Sequence, residues 1–468
     1  MRVVLLLVLG AGLVWFVWRG VGPGRQPAEG EAQAAAPGAM ITLEAPRADA
    51  TPTSDAAREP VPTPNRPLPP PEVAPAAGEA ASPQASAPST TEPANGSGSP
   101  TTTASSPAVS ALAISSGSAA ASPAEIAAAE ELLRDPASLA SWLAARGVDL
   151  PPGRREFAAG LVHAFAARGT DANGALDRAA PTGEVQPSER ELVRRIASSE
   201  AASTTIESTS PLARAASMKA HERAALEHLA AGRAREAAEI LSRLLLAEIA
   251  SPWRADAGRL GIWSERLHEA QRGNRWNRRG NWRSSEVIVE PGDSLISVRK
   301  RALANDPNLV VCTGQIARAN QLAGEIIHPG AKLRIPLERV SVLVDLDAHW
   351  AFYLASDEVV AAWPIGVGKE DSATRTGAFQ VGKKLKEPMW FPAGRKPVPY
   401  GAPENPLGTR WIEWNDIEGK PTHLGFHGTN EPGSIGRDGS LGCIRMRTED
   451  VEELFEILPV GASVQVNP

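Results

Sequence analysis

The sequence is poor in cysteine and in aromatic residues. Cysteine occurs twice in 468 residues, and aromatic residues make up 5% of the chain. Two cysteines form at most one disulfide, which excludes a disulfide-rich scaffold. The net charge of −6 is small, and the composition indicates no basic domain for nucleic-acid binding. Composition alone therefore does not indicate a function, and the evidence for one must come from local sequence patterns.

One long apolar run is present, and it lies at the N-terminus. Residues 3–18 are apolar and stand between Arg2 and Arg19. The length of the run lies between that of a signal-peptide core and that of a full membrane span. Residues 1–20 are therefore predicted to be a signal anchor, or a signal peptide cleaved near residues 28–36. This predicts export to the cell envelope or periplasm, with residues 3–18 anchored in the cytoplasmic membrane.

Two segments of contrasting composition follow the apolar run. Residues 21–121 consist mainly of Ala, Pro, Ser, Thr and Gly, with too few large apolar side chains to form a core, which predicts a disordered linker. Residues 122–272 instead show helical periodicity. Within them, two apolar stripes meet at Gly232 and resemble a tetratricopeptide-type hairpin. One such unit does not form a solenoid, so a helical spacer or docking region is the favoured interpretation.

Residues 273–285 form a basic linker interleaved with tryptophans. Arginine and tryptophan together can bind anionic polymers or glycans through charge and stacking. A linker whose tryptophans pack against the neighbouring domains is an equally good interpretation. Both interpretations stay open at the level of the sequence.

Residues 286–337 carry a small α+β pattern. An alternating strand leads into the turn Pro291-Gly292-Asp293, where Asp293 or Ser294 caps a helix, and a second helix and a closing strand follow. This βααβ order resembles a LysM module, although Ile296 replaces a frequent tryptophan. The resemblance implies binding of N-acetylglucosamine-containing glycan, the peptidoglycan sugar chain, between the strand–helix loops.

The C-terminal region, residues 340–468, predicts a strand-rich domain with a short helix, and it contains a histidine and a cysteine in a glycine-rich frame. His427 precedes Cys443 by sixteen positions. Cysteine attacks as the thiolate and needs a neighbouring base, and histidine titrates in the useful range. Gly428 and Gly442 allow close approach of the backbone, which leaves the amide of Cys443 free to face an oxyanion. The pattern predicts nucleophilic catalysis.

A metal site is the competing interpretation of the same residues. His423 and His427, four positions apart, supply with Cys443 three candidate zinc ligands. Three features weaken it: residues 423–427 predict a strand, no second cysteine lies near Cys443, and no carboxylate cluster completes a ligand shell. We therefore predict neither a metal nor an organic cofactor.

The order His427-Gly428-Thr429, about a dozen residues, then Ser440-x-Gly-Cys-x-Arg445 resembles the active-site signature of the YkuD-type L,D-transpeptidases. Residues 366–379 and 405–411 resemble further blocks of that family, so the resemblance extends from residue 340 to the C-terminus. Leu441 departs from it where histidine is common, and Arg375 where proline is usual. The implied fold is β-rich and β-sandwich-like with a short helix.

The resemblance also implies a role for each residue of the signature. Cys443 would attack the carbonyl of the third stem-peptide residue of peptidoglycan, with His427 as general base and the Gly428 carbonyl orienting its ring. The amides of Gly442 and Cys443 would form the oxyanion hole. Three further side chains would bind substrate: Arg445, Ser440 and Thr429.

The implied reaction is cross-linking of donor and acceptor stem peptides through a thioester. Its expected partners are these peptides, the glycan through the LysM module, and the membrane through the N-terminal segment. Two alternatives stay open: an L,D-carboxypeptidase or cross-link-cleaving peptidase, in which water resolves the thioester, and an inactive wall-binding scaffold. Retention of His427, Cys443 and Arg445 argues against the scaffold. The acceptor amine and the oligomeric state are not predicted.

Overall fold

The computed structural model describes residues 122–199, 210–251, 253, 255–392 and 394–468, and the backbone of two short strands near the N-terminus. These strands, β1 (Val8–Leu9) and β2 (Gly12–Leu13), pair antiparallel. The rest of the predicted signal segment and the linker at 21–121 lie outside the described residues. Among the described residues, no helix is long and apolar enough to cross a membrane. The chain divides into two units, residues 1–97 and residues 98–468, and all the elements described below belong to the second.

The predicted helical middle region is confirmed. Of the described residues, eight α-helices belong to it: α1 (Pro123–Arg134), α2 (Pro136–Arg146), α3 (Pro152–Phe165), α4 (Gly169–Ala179), α5 (Pro187–Ala197), α6 (Pro211–Ala230), α7 (Ala234–Ile249) and α8 (Ala257–Asn274). Prolines occupy the first turn of five of these helices, where their missing N–H leaves no bond unmade. Gly232, with φ +71°, lies in the connection between α6 and α7, as the hairpin pattern predicts.

Residues 284–336 form a βααβ module. Strands β3 (Ser284–Ile288) and β4 (Lys332–Pro336) pair antiparallel, and helices α9 (Leu295–Asn305) and α10 (Thr313–Ala319) lie between them in sequence. Ser294 caps α9 by accepting a hydrogen bond from the amide of Ser297. The module has a small apolar core of its own.

The C-terminal region is built on one mixed eight-stranded sheet. Its elements are β5 (Val340–Asp345), β6 (Trp350–Ala355), β7 (Glu358–Pro364), β8 (Val367–Gly368), β9 (Gly377–Lys386), β10 (Arg410–Asn415), β11 (Pro421–His427), β12 (Asp438–Ser440), β13 (Ile444–Arg445), helix α11 (Thr448–Ile457) and β14 (Ser463–Asn467). The order of strands in the sheet is β13-β11-β10-β9-β14-β5-β6-β7. Strand β14 is parallel to β5, β11 is parallel to β13, and the other neighbours are antiparallel. Strands β8 and β12 form a separate pair.

Strands β5 to β7 are buried on both faces. Phe352 and Val359 belong to the core of the helical region, whereas Tyr353 and Val360 belong to the core that includes α11. Burial on two sides explains why all six residues of β6 are buried and why β7 is a continuous apolar run. The hydroxyl of Ser264 on α8 donates to the Ala362 carbonyl at 2.6 Å. The helical region therefore docks on the sheet.

The tryptophans of the basic linker are packed. Trp276 and Trp282 are buried, with ring centroids 5.0 Å apart. Arg275 is also buried and forms ion pairs with Glu338 at 3.3 Å and Glu358 at 2.6 Å. Of the two interpretations of residues 273–285, the structure shows the packed linker, because buried rings cannot stack on a ligand.

Candidate active site

Two neighbouring parallel strands bring the histidine and the cysteine to one edge of the sheet. His427 ends β11, and Cys443 immediately precedes β13. The register pairs Phe426 with Ile444 and His427 with Arg445. This pairing places the end of β11 beside the start of β13. The residues between these strands therefore form a loop that returns to the same edge of the sheet.

The ring of His427 is held in one tautomer by its own neighbour. His427 is buried, and its Nδ1 lies 2.5 Å from the carbonyl oxygen of Gly428. A carbonyl only accepts hydrogen bonds, so in the neutral ring Nδ1 carries the proton and Nε2 has the free lone pair. The predicted orienting contact from Gly428 is thus present, and Nε2 is the atom able to act as base.

Burial keeps this ring neutral. It lowers the pKa of His427 to about 4, and the positive charge of Arg445 acts in the same direction. The carbonyls of Gly428 and Pro406 oppose this shift, because they accept hydrogen bonds from the protonated ring. At neutral pH the imidazole is a free base.

The thiol of Cys443 is also neutral at rest. Its Sγ lies 3.8 Å from the carbonyl oxygen of His423, and burial raises its pKa to about 11, although a hydrogen bond from the Gly425 backbone and the charge of Arg445 lower it. A thiol and an imidazole with pKa values in this order do not form an ion pair spontaneously. Proton transfer must therefore accompany nucleophilic attack.

The backbone at His423 is strained. His423 has φ +60°, a left-handed conformation that non-glycine residues rarely adopt, and the pairing register of β10 and β11 shifts next to it. Its carbonyl is the one that faces the sulfur of Cys443. Strain of this kind concentrates at functional sites. No sequence signal identified this residue as more than a candidate metal ligand.

The turn before the cysteine is closed by Ser440. Its buried hydroxyl donates to the carbonyl of Cys443 at 2.6 Å and accepts from the amide of Gly442 at 3.1 Å. Gly442 has φ +108°, which requires glycine. The amide of Gly442 is thus engaged within the turn, and the amide of Cys443 is the better-placed oxyanion donor.

The remaining predicted site residues lie around this turn. The hydroxyl of Thr429 accepts from the amide of Glu431 at 3.0 Å, so it stabilises the loop as Ser440 does. Arg445 pairs with Glu431 at 2.9 Å and is largely covered. Leu441 is 74% exposed. Direct contacts of substrate with Ser440, Thr429 and Arg445 stay predictions.

A long connection packs against the histidine, and only its last residues, 405–409, match a family pattern in the sequence. It joins β9 to β10 and is called the 387–409 loop, of which residues 387–392 and 394–409 are described. A Cβ added to Gly408 would lie 2.8 Å from the Cα of Gly428. The side chain of Asn430 donates to the Pro403 carbonyl at 2.9 Å. The loop is therefore a wall of the site.

The competing metal interpretation finds no ligand set in the structure. Across the described ranges, no three His, Cys, Asp or Glu side chains are grouped so that they could hold a metal ion. His423 is exposed, whereas His427 is buried.

Comparison with known proteins agrees with this geometry. The sequence profile of YkuD, described as an L,D-transpeptidase catalytic domain, matches residues 339–466. A putative L,D-transpeptidase YkuD of Bacillus licheniformis is 32% identical over 189 residues, which cover 38% of this chain and 97% of that protein. A putative L,D-transpeptidase YqjB of Bacillus subtilis is 35% identical over 126 residues, which cover 27% of this chain and 69% of that protein.

Among solved structures, an L,D-transpeptidase from Mycobacterium smegmatis is 19% identical, with 30% of this chain and 64% of that chain covered and a TM-score of 0.23. The sequence relatives carry the assignment, because the B. licheniformis protein is matched over almost its whole length. The chain belongs to the YkuD family of L,D-transpeptidases.

Proposed function

We propose that this L,D-transpeptidase cross-links peptidoglycan stem peptides through a thioester on Cys443. The observation that carries the proposal is the His427 ring, whose Nδ1 is fixed on the Gly428 carbonyl and whose strand β11 pairs with β13, directly after Cys443. A base held in one tautomer next to a thiol defines a nucleophilic acyl-transfer site.

The proposed first half-reaction forms the thioester. His427 Nε2 accepts the thiol proton as Sγ attacks the carbonyl carbon of the third stem residue. The amide of Cys443 donates to the resulting oxyanion. The tetrahedral intermediate then expels the amine of the terminal D-alanine, which takes the proton from the imidazolium.

The proposed second half-reaction transfers the acyl group. A side-chain amine of a neighbouring stem attacks the thioester carbon, and His427 accepts its proton. The sulfur leaves as a thiolate and is reprotonated, so the enzyme is regenerated and an amide joins the two stems. Water in place of the amine would give hydrolysis, which is the carboxypeptidase alternative.

Mass spectrometry of the products tests this proposal. The full chain is incubated with disaccharide-tetrapeptide, beside a Cys443→Ala control. We expect cross-linked dimers that contain a tripeptide donor. Tripeptides without dimers would establish the hydrolytic alternative, and turnover by Cys443→Ala would overturn the cysteine mechanism.

We propose further that the βααβ module is a LysM module that binds the glycan strand. Two of its loops lie side by side, since the amide of Val289 donates to Ala331 O at 2.9 Å and that of Gly330 to Val289 O at 2.8 Å. Near these loops Ile296 and Ile326 are exposed. In addition, the B. licheniformis match covers 38% of this chain, about 178 residues, whereas the YkuD profile covers 128 residues (466 − 339 + 1). The difference of about 50 residues extends the match N-terminally into this module.

Calorimetry with N-acetylglucosamine oligomers tests the glycan proposal. An Ile326→Glu variant of the full chain is expected to bind at least about tenfold more weakly, because apolar side chains stack on sugar rings. Val148 is exposed to a similar extent, 77% against 73%, and lies in the helical region, so Val148→Glu is the matched control. Equal binding by both variants would contradict the proposal.

We propose that residues 3–18 export the chain and anchor it in the cytoplasmic membrane, with the enzyme in the cell envelope. The apolar run between two arginines supports this location. Fractionation of cells that express the full chain, compared with a chain truncated before residue 21, tests it. Both forms in the soluble cytoplasmic fraction would contradict the proposal.

A further inference from the structure

A buried amide side chain links distant parts of the 387–409 loop. Asn405 is 5% exposed. Its Nδ2 lies within hydrogen-bond distance of three carbonyls, those of Pro388 at 2.9 Å and of Val398 and Pro399 at 3.2 Å each. Its Oδ1 accepts from the amide of Leu407 at 3.0 Å. One side chain thus joins the start, the middle and the end of the loop.

The residues that follow Asn405 are those that contact the histidine. The backbone of Pro406 favours the protonated ring of His427. Gly408, two residues on, packs on the backbone of Gly428, and the amide of Gly428 donates to the Arg410 carbonyl at 3.3 Å. The position of Gly428, whose carbonyl oxygen lies 2.5 Å from Nδ1 of His427, therefore depends on the geometry that Asn405 imposes.

The Gly428 carbonyl matters most at one step of the reaction, when His427 becomes charged. Attack by Cys443 converts neutral His427 into an imidazolium, which has two N–H donors instead of one. The Gly428 carbonyl accepts one of them in both states. A buried cation whose N–H lost this acceptor would be costly, since burial already disfavours the charged ring.

We propose that Asn405 is a positioning residue, which fixes the 387–409 loop against Gly428 so that the Gly428 carbonyl holds and stabilises the imidazolium of His427 as Cys443 attacks. The inference deepens the proposed function, but it concerns proton transfer within the free enzyme. It can therefore be tested without peptidoglycan.

The charges around His427 do not replace this contact. Arg445, on the neighbouring strand, disfavours the imidazolium, and its partner Glu431 is an exposed carboxylate of the following loop. From β10, Arg410 pairs with Glu452 of α11 at 3.2 Å. The other titratable groups on the elements beside the ring are Cys443, exposed His423, Glu413 of β10, and Glu387, Arg395, Lys396, Tyr400 and Glu404 of the 387–409 loop. The groups that favour the charged ring are backbone carbonyls.

The test is the rate at which iodoacetamide alkylates Cys443 in the full chain at neutral pH, followed by mass spectrometry. In Asn405→Ala we expect the rate to fall about 10- to 100-fold, the range for a lost hydrogen bond to a charged group. Turnover of disaccharide-tetrapeptide is expected to lose kcat by a similar factor with KM nearly unchanged. Slowed alkylation in a chain that turns over no stem peptide would retain this inference and overturn only the proposed function.

Asn320 supplies the matched control. It is equally buried, at 5% exposure, and its side chain likewise bridges backbone groups, donating to the carbonyls of Ile316 and Arg334 at 2.8 Å and accepting from the amide of Arg334. Asn320→Ala is expected to lose a comparable amount of stability in urea unfolding and to keep the alkylation rate. Equal slowing in both variants would show general destabilisation and would overturn the proposal.

A second variant separates geometry from charge. Asn405→Asp keeps the acceptor for Leu407 but removes the donors to the three carbonyls, and its negative charge would by itself favour an imidazolium. We expect slower alkylation in this variant too, because the loop loses its bonds. Alkylation at or above the wild-type rate would mean that loop geometry is irrelevant, and it would contradict the proposal.

Discussion

The two cysteines lie in regions that are similar in several respects, although only Cys443 belongs to the predicted active-site signature. Each sulfur is near a backbone carbonyl, that of Glu456 at 3.1 Å for Cys312 and that of His423 at 3.8 Å for Cys443. Burial raises the pKa of both thiols. Cys312 even precedes helix α10, a location that usually lowers a thiol pKa. Thiol acidity therefore does not tell the two sites apart.

The difference lies in what surrounds each sulfur. Cys312 is close to the buried ammonium of Lys384, whose donors already reach the carbonyls of Phe455 and Leu458. It has no base positioned by a backbone acceptor among the described residues. Cys443 has His427 on the adjacent strand and follows a glycine-rich turn that is closed by Ser440. Reactivity follows from a positioned base, not from an acidic thiol.

Removal of each thiol gives the largest expected contrast. Cys443→Ala should lower turnover of disaccharide-tetrapeptide by at least about 10⁴-fold, because the covalent path is lost. Cys312→Ala should keep turnover within about twofold, since its sulfur only packs at the seam with α11. Product analysis by mass spectrometry measures both. Loss of activity in Cys312→Ala, with an unchanged urea unfolding midpoint, would contradict the claim that turnover needs Cys443 and not Cys312.

The next effect concerns the base and its pH dependence. A thiol with a pKa of about 11 is almost wholly protonated at pH 7, and the His427 imidazole, with a pKa of about 4, is almost wholly neutral. Alkylation of wild-type Cys443 should therefore show an assisted plateau above about pH 4. In His427→Ala the rate at pH 7 should fall by about 10²-fold and then rise about tenfold per pH unit toward pH 11.

Iodoacetamide alkylation from pH 4 to 11 measures these profiles. The direction of each change in rate follows from the two pKa shifts. Below about pH 4 the His427 base becomes protonated, so the assisted rate falls, whereas the thiol ionises by itself only near pH 11. Cys312 supplies the internal reference, because no base assists it. A plateau that survives in His427→Ala would identify a different base.

The sequence predicted which residues meet at this site better than how they are held in place. The signature from His427 to Arg445 identifies a candidate base and a candidate nucleophile. Gly442 in addition marks a backbone position that needs positive φ. The strained carbonyl of His423 and the amide of Asn405 act through hydrogen bonds to distant backbone atoms. Such contacts leave no composition or periodicity in the sequence, so they could not be predicted.

The same distinction holds for the fold. The helical middle region and its hairpin at Gly232 follow from local periodicity. The docking of α8 on β7 does not, because it depends on which face of the sheet remains uncovered. The continuous apolar run of β7 was compatible with burial on both faces, but it did not identify the helices as the cover.

A smaller effect should sharpen the contrast at Cys312. Lys384 is buried, which lowers its pKa, yet it donates to two carbonyls at the C-terminal end of α11. Lys384→Met keeps the apolar stem and removes both bonds, so we expect a loss of about 1–3 kcal/mol in the free energy of unfolding by urea. The alkylation rate of Cys312 should rise in line with this loss of stability, whereas the alkylation rate of Cys443 should stay constant. Equal changes at both thiols would show that the two sites unfold together.

The smallest expected effect tests the charge that faces Cys443. Arg445 lowers the pKa of this thiol, and its partner Glu431 offsets part of that charge at 2.9 Å. Glu431 is 66% exposed, so solvent screens the pair and its contribution is about 0.5 kcal/mol. Glu431→Gln should therefore lower the thiol pKa slightly and speed alkylation of Cys443 at pH 9 about twofold. Glu418 pairs with Lys420 at an equally exposed turn, so Glu418→Gln is the control and should leave the rate unchanged. A slower rate in Glu431→Gln would mean that the carboxylate positions Arg445 more than it offsets its charge.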